Sequence, residues 1–95
     1  MKQHALFILL LISLHSFGQV RIAGKLTDTK NKPLGGASIS IKNSYDGTTT
    51  DSLGRYSFTT LEKGTQVLQA CFSGYSLFQK TFDLESKDLE INISV

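Results

Sequence analysis

From Gln19 to Val95 the sequence predicts an all-β domain, a sandwich or a barrel of seven short strands. Three observations carry that prediction. Apolar and polar residues alternate over short segments. Clusters of Gly, Asn, Asp and Ser separate those segments. No convincing stretch repeats its apolar residues at helical spacing.

The first strand places Val20, Ile22, Gly24 and Leu26 on one face and Arg21, Ala23, Lys25 and Thr27 on the other. A polar turn from Asp28 to Gly36 follows, in which Pro33 presets one backbone angle. Ala37, Ile39 and Ile41 alternate with Ser38, Ser40 and Lys42 in a half-buried second strand. The segment Asn43 to Gly47 turns the chain into a polar strand, Thr48-Thr49-Thr50, which reads as a sheet edge. Asp51 to Gly54 forms a tight turn, and Tyr56 and Phe58 then share one face of Arg55 to Thr59. After a turn at Glu62 to Gly64, the nearly unbroken apolar run Val67 to Phe72 predicts a central strand buried on both faces. Ser73-Gly74-Tyr75 ends it. In the next strand, Ser76 to Leu84, Leu77 and Phe78 compete for the core. Leu89, Ile91, Ile93 and Val95 alternate with Glu90, Asn92 and Ser94 in the last strand. The expected core is Val20, Ile22, Leu26, Ile39, Ile41, Tyr56, Phe58, Leu68, Ala70, Phe72, Phe82, Leu89, Ile91 and Ile93. That set suffices for two packed layers, without room for a carved active-site cavity.

The chain has 95 residues, 19% of them charged, with one proline, one cysteine and no tryptophan. Its start reads as an address. Met1-Lys2-Gln3-His4 is a basic opening, Ala5 to Leu14 is an apolar run, and Ser16-Phe17-Gly18 offers small residues for cleavage before Gln19. A membrane-crossing helix needs about 20 apolar residues, and this run is half that length. The expected organisation is a signal-peptide helix over 1–18 and one domain over 19–95, with no transmembrane segment in the mature chain. Both histidines, His4 and His15, lie in the leader, so the domain has none. That disfavours His-dependent acid–base catalysis, a Ser-His-acid triad, and most zinc and copper sites. Nearly balanced and scattered charge, including Lys25, Lys30, Lys32, Lys42 and Lys63, disfavours a nucleic-acid partner. Export implies an oxidising compartment, yet Cys71 has no internal partner. Its strand-like setting predicts a buried thiol rather than a reactive or intermolecular one.

Four segments carry a resemblance: Ile22-Ala23-Gly24-Lys25-Leu26-Thr27-Asp28, Lys32-Pro33-Leu34-Gly35-Gly36-Ala37-Ser38-Ile39-Ser40-Ile41, Gly47 to Phe58, and Phe72-Ser73-Gly74-Tyr75. In order and spacing the chain resembles the carboxypeptidase regulatory-like domain family. The resemblance implies a seven-stranded Ig-like or transthyretin-like Greek-key β-sandwich. In that family the domain lies beside a peptidase domain without supplying zinc ligands, so no peptidase activity is implied. Similar domains also follow the signal peptide of TonB-dependent outer-membrane receptors. Residues already used in a sandwich cannot form a barrel. The expectation is therefore either a free-standing module, periplasmic, outer-membrane associated or secreted, or the front of a longer receptor.

The residues themselves assign Pro33, Gly36, Asp51, Gly54 and Gly74 to turns: Asp51 as an acceptor of backbone N–H groups, Gly54 in the left-handed region, and Gly74 at a bulge or bend. Tyr75 is expected to plug one end of the sandwich. No catalytic, cofactor-binding or metal-ligating set is expected. Asp46 and Asp51 flank a threonine run but lack the spacing and closing glutamate of a calcium loop. Asn92-Ile93-Ser94 matches a glycosylation acceptor inside a predicted strand, which reads as chance. The leading expectation is a non-enzymatic envelope module that contacts a protein partner or acts as a spacer. The alternative is a small glycan- or peptide-binding protein using Tyr45, Asp46 and Tyr75.

Overall fold

The computed structural model describes residues 18–95, so the expected leader, Gly18 apart, lies outside the described residues. Eight strands form two sheets: β1 (Val20–Thr27), β2 (Ser38–Ile41), β3 (Gly47–Thr49), β4 (Arg55–Thr60), β5 (Gly64–Cys71), β6 (Phe78–Leu84), β7 (Leu89–Glu90) and β8 (Ile93–Ser94). The first sheet has the order β4-β1-β7, with β8 also on β1, and the second has the order β3-β2-β5-β6. The fold is an all-β sandwich with Ile22, Leu26, Ile39, Ile41 and Leu68 fully enclosed between the layers. No helix among the described residues is long and apolar enough to cross a membrane.

The expected seventh strand divides into β7 and β8, which raises the count to eight. Both run parallel to β1, pairing Ile22 with Leu89 and Leu26 with Ile93, so the register is unchanged across the gap. Ile91 and Ile93 face inward as the alternation requires. Three interactions bridge the gap. The Ile91 N–H donates to the Ala23 carbonyl at 2.8 Å. The Asn92 side chain accepts the Lys25 N–H at 3.0 Å, and the Tyr56 hydroxyl donates to the Ile91 carbonyl. Asp88 accepts the Arg21 N–H at 2.9 Å just before β7. Side-chain acceptors thus occupy β1 donors on either side of a short ladder.

One further expectation needs correction, and one left open is resolved. Val67 to Phe72 is not buried on both faces. Leu68 and Ala70 are buried, Val67, Gln69 and Phe72 are half-buried, and Cys71 is exposed. The strand is central because β2 and β6 flank it, but only one of its faces meets the other layer. The competition in β6 goes to Phe78, which pairs with inward-facing Ala70, while Leu77 is left 53% exposed. Leu34 and Leu84 join the core, whereas Phe72, Phe82 and Leu89 pack against it half-buried.

Gly24 is open to a direct test. It pairs with Tyr56, and a β-carbon there would collide with the Ile91 carbonyl and lie 2.9 Å from the Tyr56 hydroxyl. Gly24→Ala is expected to cost about 3 kcal/mol or more in chemical denaturation, because backbone rather than a flexible side chain must yield. Tyr56→Phe leaves the Ile91 carbonyl without that donor and should cost about 1–2 kcal/mol at neutral pH. Burial pushes the Tyr56 hydroxyl up from 10.0 to about 12. A raised folded-state value contributes stability that is complete below pH 10.0 and lost as pH climbs through about 12. The gap between wild type and Tyr56→Phe should therefore narrow over that interval.

Candidate functional site

Strand register sorts the surface into two ends. β2 and β5 are antiparallel, with Ser38 opposite Cys71 and Ile41 opposite Leu68. The β5–β6 turn therefore lies with the loops around Pro33 and Asp51, and the β2–β3 turn lies at the far end. Tyr45 and Asp46 occupy that far turn, and Tyr75 the near one. The three residues named for glycan or peptide contact do not form one surface. Tyr45 is wholly exposed. Asp46 is committed to the fold: its carboxylate accepts the hydroxyl of buried Thr60 at 2.6 Å, tying the β2–β3 turn to the end of β4. Asp46 and Asp51 lie beyond opposite ends of β3, and no group of three or more potential metal ligands occurs among the described residues.

At the near end the turns are built from repeated chemistry. The Asp51 carboxylate accepts the N–H groups of Leu53 and Arg55, each at 2.9 Å, and the Asp51 carbonyl accepts the Gly54 N–H. Gly54 has φ 76°, and its carbonyl accepts the Leu26 N–H. Asp28 repeats this loop without a glycine. Its carboxylate accepts the N–H groups of Lys30 and Lys32 at 2.8 and 2.9 Å, with Asn31 at φ 65° in the left-handed position. The legible signal was the shared spacing of Asp28-Thr29-Lys30-Asn31-Lys32 and Asp51-Ser52-Leu53-Gly54-Arg55. The N–H of Lys32 and that of Arg55 are the first causes holding the Asp28 and Asp51 carboxyls below their ordinary value of 3.8. Lowered values of this kind add stability above pH 3.8, and it is lost as pH falls through the folded-state values.

Thr50 departs from the expected polar edge. It is 4% exposed, donates its hydroxyl to the Leu34 carbonyl at 2.7 Å and accepts the Ala37 N–H at 2.9 Å. β3 itself ends its sheet beside β4 of the other layer, with Gly47 and Thr49 exposed and Thr48 half-buried. Gly36, at φ 82°, completes the loop that Thr50 anchors. The bend at Gly74 is a reverse turn: the Tyr75 N–H donates to the Phe72 carbonyl at 3.0 Å, with Gly74 at φ 87° in the third position.

That reverse turn creates the candidate site. Tyr75 tilts against Phe72 with ring centroids 5.6 Å apart and stays 41% exposed, so it caps the end only in part. Tyr75, Ser76, Leu77, Phe78 and Val95 line a shallow hollow of about 340 Å³. From Ala70 to Gln79 no residue is charged. Larger depressions, of about 540 and 620 Å³, cross the outer face of the β1 sheet. In the first of these both arginines are engaged: Arg55 pairs with Asp51 at 3.5 Å and Arg21 donates to Ser57 at 2.7 Å. The hollow beside Tyr75 instead offers apolar side chains, Tyr75 and Leu77, that nothing described covers.

The family model for the CarboxypepD_reg-like domain matches residues 22–95. Among solved structures, the fold is similar to a chain from an N-terminal interface mutant of a type II Cohesin-X-Dockerin complex of Acetivibrio cellulolyticus. The TM-score is 0.66 and the identity 15%, covering 78% of this chain and 52% of that one. A C-terminal interface mutant of the complex from the same organism gives 0.65 and 16%, with 78% and 52% covered. The minor pilin GBS52 of Streptococcus agalactiae gives 0.55 and 19%, with 82% and 44% covered. At such identities the likeness is one of fold, and the chain spans about half the length of the solved chains it matches. No curated protein matches the sequence.

Two measurements check this geometry. Thr50→Val strands a buried N–H and a buried carbonyl, and should cost about 2 kcal/mol or more in urea unfolding. Cys71 should react with a maleimide in the native protein as fast as in the denatured one. Strong native protection would restore the buried thiol expected from sequence.

Proposed function

This chain belongs to the CarboxypepD_reg-like domain family, and from that premise we propose that it is a non-enzymatic protein-contact module of the bacterial cell envelope. The reading has the leader over 1–18 direct export and the domain act in the periplasm or at the outer membrane. Its place would be that of the opening domain of a TonB-dependent receptor, or of a separate module with the same role. The observation that carries the proposal is the uncharged β5–β6 corner of the sandwich, where Tyr75 and Leu77 stand exposed over half-buried Phe72 and Phe78. A small domain that leaves aromatic and aliphatic groups together in water gains free energy when a partner covers them, about 25 cal/mol for each Å² of apolar surface removed. The solved neighbours give fold-level support: one is a chain of a Cohesin-X-Dockerin complex and another a minor pilin.

The test is site-specific photo-crosslinking in the envelope of the producing bacterium. A crosslinker replacing Leu77 should trap one discrete protein, and one replacing Thr59, on the outer face of the other sheet, should not. Equal or absent trapping at both positions would overturn the contact reading. Recovery of the chain with residues 1–18 still attached would overturn export by cleavage.

A further inference from the structure

We propose that the free edge of β6 is a docking site for an extended segment of a partner protein, one that carries an acidic residue between two apolar ones on its inward face. This rests on the contact reading above and names the kind of partner. Among the described residues β6 pairs only with β5, so one side of a seven-residue strand has no backbone partner. Its inward positions follow from the register. Phe78 pairs with Ala70, Lys80 with Leu68 and Phe82 with Gln66, and Leu68 and Ala70 are buried. The core-facing row along the edge is therefore apolar, cationic, apolar. Phe78 and Phe82 are both half-buried against the core and would be covered further by one added strand.

Lys80 decides which strand fits. It is exposed, although its register position is opposite fully enclosed Leu68, and it makes no salt bridge among the described residues. An inward-pointing charge on an edge strand blocks indiscriminate pairing. A second copy meets that block. Antiparallel pairing of two β6 strands that keeps inward rows together sets Lys80 against Lys80 or against an apolar residue of its mate (Phe78, Phe82 or Leu84), and none of these relieves the charge. A strand with glutamate or aspartate opposite Lys80 does relieve it, while its flanking apolar residues cover Phe78 and Phe82. At the Phe78 end the hollow beside Tyr75 and Leu77 lies in line to take an apolar side chain. Backbone bonding would supply affinity and the apolar-acidic-apolar row selectivity, as in other strand-addition complexes.

The probe is a blocked seven-residue peptide, Thr-Phe-Thr-Glu-Thr-Phe-Thr, whose palindromic order suits either strand direction. It is titrated into the whole chain purified from an expressing bacterium. Saturable binding is expected, weakened at least about tenfold when lysine replaces the glutamate, since like charges opposed at an interface are strongly unfavourable. It should be lost when proline replaces the threonines beside the glutamate. Lys80→Glu, at an exposed position, should keep the wild-type unfolding curve and reverse the preference between the two peptides. The proposal is overturned if neither peptide binds, if both bind alike, if Lys80→Glu leaves the preference unchanged, or if sedimentation shows the edge occupied by a second copy. Failure here with Leu77 crosslinking retained removes the edge site alone. Peptide binding without crosslinking removes the envelope-contact reading and leaves the edge.

Discussion

The hydroxyl of Tyr56 reaches the carbonyl of Ile91 by passing over Gly24, and the first sheet depends on that contact. The three residues lie in one row across β4, β1 and the gap between β7 and β8. β1 is the spine: β4 lies antiparallel on one side and the final segment parallel on the other. Parallel pairing is slightly weaker per residue than antiparallel pairing, and β7 and β8 have only two residues each. A buried phenol holding the carbonyl between them, with Asp88 and Asn92 side chains on adjacent β1 donors, supplies what the short ladders lack. Gly24 is required because any side chain there would fill the passage. The constraint joins the beginning, middle and end of the domain, so neither edge of the sheet is independent of the other.

The second constraint is the chemistry of the near end. Asp28 and Asp51 fold two loops by the same five-residue hydrogen-bond pattern, and Thr50 closes a third from inside. Together with the Leu26 and Leu34 backbone bonds, these loops link the two sheets at one end. The β5–β6 turn at the same end is made differently, by a glycine turn bearing aromatic and aliphatic groups. Polar closure of its neighbours leaves that corner as the uncovered apolar part of a well-satisfied surface. The four segments that resemble the family, Ile22 to Asp28, Lys32 to Ile41, Gly47 to Phe58 and Phe72 to Tyr75, converge on this end, and each makes or adjoins one of its turns.

What was legible in the sequence was local. Alternation located β1, β2, β4 and the inward face of β7 and β8, because period-two burial depends only on which face meets the core. The Asp51 loop and Gly54 were legible because a carboxylate three residues before a glycine specifies a turn. What failed depended on neighbours in space. Val67 to Phe72 is apolar except for Gln69, but Val67 and Cys71 share an outward row with Ser38, Ser40 and Gln79, which only the register shows. Thr50 looked solvated because its partners, Leu34 and Ala37, lie in a different loop. Tyr45 and Tyr75 looked combinable until antiparallel pairing placed their turns at opposite ends. Lys80 gave no signal, since an inward lysine has meaning only once its strand is known to be an edge.

The two flanks of the sandwich are unlike, and that difference links fold to function. On one flank β3 lies against β4, and the Asp46 carboxylate bonded to Thr60 fastens the sheets together with both partners largely withdrawn from water. On the other flank β6 ends the second sheet with two half-buried phenylalanines and a lysine between them. A domain this small has a high ratio of surface to volume and few apolar groups to spare. Among the described residues β7 and β8, the two strands that follow β6, both pair with β1, where the Tyr56 contact holds them. The constraint that assigns β7 and β8 to the first sheet is thus also what keeps these two strands away from β6. Lys80 keeps that uncovered edge from joining arbitrary strands while leaving it receptive to one of opposite charge.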